Sequence, residues 1–259
     1  MISIIGAGKV GSMAAFNILG RRISDVILID VQENLAHGEA LDMIQAAPAI
    51  EFDGKINGTC DFSEMKNSEV VIVTAGHARQ PGMSRTDLAV MNAKIVRSIT
   101  LRFRSYIAQE LGVSREDIRA LVIGEHGNSM VPLVDYACVS GIPIRTLLDE
   151  NQIEKIINKT RTSGADVIKL KGSTVYAPAA AIAIMADAIL KDRNRVLGIS
   201  TYLEGAYGFS DVAVGVPCVL GKNGVERVIE LKLDSKSEKE FRESVAKIKD
   251  VIGQLEEQH

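Results

Sequence analysis

The chain opens on a short β-branched run, Ile2-Ser3-Ile4-Ile5, whose unbroken apolar character predicts a buried strand. It passes through Gly6-Ala7-Gly8-Lys9-Val10-Gly11 into an alanine-rich stretch, residues 12–19, which predicts a helix. Val26-Ile27-Leu28-Ile29 predicts a second strand closed by Asp30. Residues 33–46 read as a second helix, with Leu35, Leu41 and Ile44 among its apolar positions. A third strand is expected over residues 55–60, and a fourth at Val70-Val71-Ile72-Val73. Strands alternating with helices call for a parallel sheet covered on both faces. Ligands of such sheets bind beyond the carboxyl ends of the strands, so the loops after Ile5, Ile29 and Val73 should line one crevice.

The second half changes character. After the turn signal Pro81-Gly82, Ser84-Arg85-Thr86-Asp87 fits a relaxed capping box and predicts a helix to about Ile99. A further helix is expected over 101–111, broken by Gly112-Val113-Ser114. A strand at 120–123 ends in Gly124-Glu125-His126-Gly127-Asn128-Ser129, and helices are expected at 153–169 and 177–191. Apolar runs at 212–220 and 225–231 flank Gly221-Lys222-Asn223-Gly224, a strong hairpin signal. Ser237-Glu238-Lys239-Glu240 should cap a closing helix with Phe241, Val245, Ile248 and Ile252 on its inner face. No internal repeat is present, and the domain boundary is placed near residue 100, giving domains 1–100 and 101–259.

A length of 259 residues is enough to bury a sizeable core. The net charge of −3, with no basic tract, argues against nucleic acid as a partner. Cys60, Cys138 and Cys218 are scattered, without the spacing of a disulfide framework or a metal site, so no metal is expected. Met1 stands one residue before the first strand and leaves no room for a signal peptide. The longest apolar stretch, residues 177–190, is broken by Asp187 and too short to span a bilayer. A cytoplasmic, soluble protein is expected.

The glycine turn carries the first chemistry. With a strand before it, a helix after it and an acid about twenty residues on, G-x-G-x-x-G has the setting of a dinucleotide site. Gly6 permits the turn, Gly8 admits a pyrophosphate and Gly11 lets helix and strand approach; the alternative is a plain structural turn. Asp30 can accept hydrogen bonds from ribose hydroxyls and would repel a 2′-phosphate, favouring NAD over NADP. Of the four histidines, His37 lies on a polar helix face, His77 opens a loop and His259 ends the chain. His126, between glycines past a strand end, is the candidate for proton transfer. Spacing alone leaves Arg79 and Arg85 either as a functional pair or as part of a solvated charged loop, 77–85.

Four separated motifs then resemble the lactate/malate dehydrogenase family. They are Gly6-Ala7-Gly8-Lys9-Val10-Gly11, Val73-Thr74-Ala75-Gly76, Ala78-Arg79-Gln80-Pro81-Gly82-Met83-Ser84-Arg85 and Gly124-Glu125-His126-Gly127-Asn128-Ser129-Met130. The likeness extends to Ser200-Thr201-Tyr202-Leu203-Glu204-Gly205 and Val216-Pro217-Cys218, nearly the whole chain. It implies an α/β fold, a Rossmann-type parallel sheet followed by an α+β catalytic domain. It also implies NAD as cofactor, a small 2-hydroxy acid as substrate and a homodimer or homotetramer, with residues 177–190 as a candidate packing surface. By the resemblance, His126 takes the hydroxyl proton, Arg85 polarises the carbonyl, Arg102 holds the substrate carboxylate and Thr174 lies near the substrate. Gly6 to Gly11, Asp30, Thr74, Ala75, Gly76 and Asn92 fall on the cofactor side. Arg79 stands where the family's lactate enzymes typically carry glutamine. A guanidinium fork matches a second carboxylate, and leaving it closed in and unpaired can discriminate by roughly 10⁴-fold. The malate/oxaloacetate pair is therefore expected, with a lactate-type or other 2-hydroxy acid enzyme as the alternative.

One departure bears on mechanism. Between Thr100 and Leu101 the family carries a strand, a helix and another strand, roughly forty-odd residues, and here the flanks meet directly. That unit supplies the outer strands, an asparagine touching cofactor and substrate, and an aspartate that pairs with the histidine. None of these is found in the sequence, and Asn128 replaces a common aspartate. Two readings of the join stay open. Either a unit belonging to the protein has dropped out of the sequence, or the deletion is real and the chain is a crippled enzyme or a non-catalytic NAD-binding module.

Overall fold

The computed structural model describes residues 1–75 and 97–256. These divide into two compact units: residues 1–75 with Val175–Asn194 and Gly221–Gly224, and residues 97–174 with Arg195–Leu220 and 225–256.

In the first unit, β1 (Ile2–Ile5), β2 (Val26–Ile29), β3 (Ile56–Thr59) and β4 (Val70–Val73) form a parallel sheet in the order β3-β2-β1-β4. Ile2 is in register with Val26 and Val70, and Val26 with Ile56. The central strands β1 and β2 are buried along almost their whole length, as strands covered on both faces should be. Helix α1 (Lys9–Gly20) joins β1 to β2, and α2 (Glu33–Ala46) joins β2 to β3. On α2 the buried positions are Ala36, Ala40 and Met43, while Leu41 and Ile44 are exposed. Small residues face inward because the helix lies almost on β3: a Cβ at Gly58 would fall 2.1 Å from the carbonyl oxygen of Ala36. β4 pairs with β1 alone among the described residues, and Val71 and Val73 along it are exposed.

In the second unit, α3 (Arg97–Leu111) leads into the antiparallel sheet of β5 (Ile118–Ile123), β6 (Val131–Val139) and β7 (Ile142–Pro143). A 22-residue helix follows, α4 (Glu150–Lys171), started by a complete capping box between Asp149 and Gln152. The chain then crosses back: α5 (Tyr176–Leu190) belongs to the first unit, where its buried alanines pack on α1. Small side chains on both helices allow that close packing, and they turn the 177–190 stretch inward. β8 (Arg195–Glu204), β9 (Ser210–Gly221) and β10 (Gly224–Val228) make a second antiparallel sheet. The closing helix α6 (Ser235–Glu256) buries Phe241 and Val245, with Phe241 edge-on to Tyr207 and Phe209. Its cap is Asp234 rather than Ser237, since the Asp234 carboxylate accepts the N–H groups of Lys236 and Ser237. No single helix among the described residues is long and apolar enough to cross a membrane.

Residues on either side of the join lie in one helix. Ile99 precedes it, Phe103 and Ile107 follow it, and all three are fully buried in the same cluster with Ile118, Val122, Ile153 and Ile156. Their spacing of four keeps them on one helical face. The expected break between 99 and 101 is absent because the flanks meet in helical register. At the join the Thr100 hydroxyl is buried without a hydrogen-bond partner among the described residues. A buried polar group left unpaired costs about 1–3 kcal/mol. Thr100→Val is therefore expected to stabilise the protein by about 1 kcal/mol, raising Tm by roughly 2–4 °C. Thermal unfolding followed by circular dichroism checks this, and a lower Tm would show that the hydroxyl is satisfied.

Candidate active site

The phosphate-side apparatus is built in the first unit. Gly6 takes φ +102°, a left-handed conformation open mainly to glycine, and a Cβ there would lie 2.6 Å from the Ala75 nitrogen. At Gly11 a Cβ would lie 1.9 Å from the Gly6 oxygen and 2.6 Å from the Thr74 hydroxyl. Helix α1 thus starts hard against the turn. The turn is fastened from β4's end, where Thr74 Oγ1 donates to the Gly6 oxygen at 2.9 Å and the Ala75 N–H donates to the Ile5 oxygen at 2.9 Å. Ser12 Oγ adds a buried bond to the Ala7 oxygen at 2.7 Å.

Gly8 is different in kind: it is exposed, and no atom lies within 4 Å of where its Cβ would be. It is the N-cap of α1, whose first turn carries no acidic residue and receives no side-chain cap. The helix start is left free to attract an anion to its N–H groups. Asp30 accepts the Ala7 N–H at 2.8 Å on one carboxylate oxygen and the Gln32 N–H at 3.0 Å on the other. Each oxygen keeps a lone pair for a ribose hydroxyl. A tight turn open only at Gly8, an unneutralised helix start and a fixed carboxylate fit a dinucleotide such as NAD. Lys9 is exposed and Val10 half-buried at the mouth of this turn. Gly76, Arg79, Arg85, Asn92 and the 77–85 loop lie outside the described residues.

The second unit carries Arg102, His126 and Thr174 on three different elements. Arg102, on α3, is half-buried, and no carboxylate or carbonyl among the described residues pairs with it. Burial pushes its pKa down and nearby Tyr106 opposes that. An arginine stays charged even so, which leaves a partly desolvated guanidinium fork suited to an incoming carboxylate. By contrast, Arg161 pairs with Glu240 at 2.9 Å, and Arg145 is held by Asp135 and Glu150. Thr174 is half-buried between α4 and α5, just beyond Gly172, which closes α4 at φ +85°.

His126 sits half-buried on the loop after β5, and that loop is fastened at several points. Gly124 exchanges both backbone hydrogen bonds with Gly215 of β9, at 2.8 and 3.2 Å. The Glu125 N–H donates to the hydroxyl of the fully buried Ser244 on α6 at 2.7 Å. The Ser129 hydroxyl donates to the Glu125 carboxylate, closing the loop on itself. Arg161 ties the far end, donating to the Met130 oxygen at 3.2 Å while paired with Glu240. The sequence pointed to the histidine and gave little sign that Ser244, Gly215 and Arg161 fasten its loop. The one signal was a serine three residues after Phe241, inside the apolar stripe of α6. Cys218 has no part in this, because burial pushes its thiol up to about 11 and keeps it protonated. No cluster of potential metal ligands occurs among the described residues.

Comparisons with known proteins give the family. Residues 1–113 match the lactate/malate dehydrogenase NAD binding domain, and residues 100–259 match the alpha/beta C-terminal domain of the same family. A malate dehydrogenase of Bacillus thuringiensis is 40% identical over 304 residues, covering 98% of this chain and 97% of its own. Among solved structures, Cryptosporidium parvum malate dehydrogenase superposes with a TM-score of 0.93 at 33% identity, covering 99% of this chain and 98% of that one. The lactate dehydrogenase of the same organism, solved with lactic acid and NAD, gives 0.91 at 30% identity, covering 98% and 97%. The Bacillus alignment runs over 304 positions although this chain has only 259 residues, so at least 45 positions have no counterpart here.

The three glycines of the turn should separate by experiment. Gly8→Ala is expected to keep stability within about 1 kcal/mol of the wild type, yet to weaken NADH binding at least ~10-fold by blocking the phosphate approach. Gly11→Ala should instead lose roughly 3 kcal/mol of stability through overpacking. Fluorescence titration with NADH and thermal unfolding of both variants check this, and equal stability losses would refute the assignment.

Proposed function

The chain belongs to the lactate/malate dehydrogenase family, and we propose that it acts within that family as the NAD-dependent malate enzyme. The reaction is reversible hydride transfer between (S)-malate and NAD, giving oxaloacetate and NADH. NAD supplies the hydride acceptor when bound; everything else is asked of this chain's side chains. Gly6 to Gly11, Asp30, Thr74, Ala75, Gly76 and Asn92 hold the dinucleotide. Arg102 grips one carboxylate of the substrate in bidentate fashion, and Arg79 takes the second. Arg85 polarises the carbonyl in the direction of reduction, Thr174 borders the substrate, and His126 accepts the hydroxyl proton in the direction of oxidation.

The observation that carries the substrate class is Arg102, a half-buried guanidinium with no carboxylate of its own among the described residues. Arg79 and the 40% identity to a malate dehydrogenase favour the dicarboxylate over a monoacid. A homodimer or homotetramer in the cytoplasm, with no nucleic acid and no membrane as partner, completes the reading.

A second reading rests on a specific observation as well. The four-stranded sheet among the described residues and the unmatched alignment positions are in keeping with a chain that lacks the unit carrying the histidine's aspartate in this family. On that reading the chain binds NADH and turns nothing over. Calorimetry with NADH, an absorbance assay with oxaloacetate and with pyruvate, and the intact mass decide between the two. Turnover of oxaloacetate well above pyruvate supports the malate enzyme. Binding without turnover at a mass of 28.0 kDa supports the module. In an active enzyme Arg79→Gln is expected to lower kcat/KM for oxaloacetate by roughly 10⁴-fold. An unchanged ratio of oxaloacetate to pyruvate would remove Arg79 from its role.

A further inference from the structure

We propose that Gly164, in the middle of α4, is a positioning residue that sets the pose of Arg102 and so the grip on the substrate carboxylate. The proposal rests on the reading of Arg102 as the carboxylate holder. Its starting point is a residue that local sequence preference does not explain. Helix α4 is otherwise well made, with a capping box at Asp149 and Gln152, lysines in its last turn and a terminal glycine at Gly172. Gly164 is the single glycine inside its 22 residues, at a position where alanine would be the better helix former.

The reason lies across the α3–α4 contact. A Cβ at Gly164 would stand 2.8 Å from Nη1 of Arg102, 3.5 Å from its Cζ and 3.7 Å from its Nη2. The three nearest neighbours of that missing methyl are all guanidinium atoms. The planar group therefore lies directly over bare helix backbone. The same face of α4 buries Thr160 and Ser163, so this is a packed contact between the helices.

Arg102 has no ion pair or hydrogen bond among the described residues to fix its orientation, whereas Arg145 and Arg161 have both. Among the described residues, shape is what remains to hold it. The guanidinium is also the far end of a flexible side chain, and the helix backbone is not. A methyl group at position 164 would move the arginine and leave α4 in place. A bidentate pair depends on the fork's plane and height, and a misplacement of about 1 Å can cost roughly 10²-fold.

The test is Gly164→Ala in the full chain. Tm should stay or rise by a few degrees and NADH affinity should be unchanged, while KM for oxaloacetate rises by roughly 10²-fold with kcat altered far less. In an Arg102→Lys background the same change should have little further effect on KM. Unchanged KM, a large fall in Tm, or full additivity with Arg102→Lys would each overturn the proposal. If the wild type neither turns over oxaloacetate nor binds tartronate in the presence of NADH by calorimetry, the substrate reading fails on its own. The crystal structure of Gly164→Ala then decides the positioning claim: a guanidinium displaced by about 1 Å over an unchanged helix upholds it, and an unmoved guanidinium overturns it.

Discussion

The start of α1 rests on the carbonyl oxygen of Gly6, and there is no room at position 11 for even a methyl group. Much of the first unit follows from that approach. The turn must be tight, so Gly6 takes a left-handed backbone and meets Ala75 at the end of β4. Because β4 reaches that point, its end can supply Thr74, which fastens the turn by a hydrogen bond to the very carbonyl that Gly11 touches. Because β2 ends level with β1, Asp30 reaches the Ala7 N–H. The order β3-β2-β1-β4 places the turn on a central strand, with Asp30 reaching it from the end of β2 and Thr74 and Ala75 from the end of β4. The same contacts leave Gly8 as the one open face. Steric exclusion at two glycines is thus what makes the third available to a ligand.

At Thr100–Leu101 the core runs on without interruption. The flanks meet within α3, and the apolar stripe Ile99, Phe103 and Ile107 runs through them without a shift of phase. A slip of one residue there would have turned Phe103 and Ile107 toward solvent. Beside that core the Thr100 hydroxyl is unpaired, and Val71 and Val73 are exposed along a β4 that pairs only with β1 among the described residues. An apolar edge strand is a liability that sheets usually cover or blunt with charge. The family's outer strands would do the covering.

The first half of the chain was legible because its signals are local. The runs at Ile2 to Ile5, Val26 to Ile29 and Val70 to Val73 are continuous and β-branched, and glycines punctuate them. The strands of the second half were less so. Residues 131–139 contain Pro132 and Asp135, and 195–204 contain Gly198, each of which argues against a strand when only neighbours are considered. They are strands because the adjoining antiparallel strand in each case, β5 for 131–139 and β9 for 195–204, supplies their hydrogen bonds, which neither run shows by itself. The outward turn of Leu41 and Ile44 was hidden for a similar reason, since it is set by how closely α2 lies on Gly58. Motifs located Asp30, Arg102 and His126. What packs against Arg102 and fastens the histidine's loop, Gly164 and Ser244, is determined by tertiary contact and leaves almost no mark on the sequence.

The fastening of His126 bears on what the missing unit can and cannot affect. The histidine's loop is held by Gly215 of β9, by Ser244 of α6 and, through Met130, by Arg161 of α4. All three elements lie outside the deleted stretch, so the backbone pose of the histidine does not depend on it. The phosphate turn and Arg102 are likewise built from elements that remain. An aspartate beside the imidazole would act on its tautomer and on the stability of its protonated form. Those properties matter at the moment the proton moves, and ligand affinity is set elsewhere. A true deletion would therefore fall on turnover more than on binding.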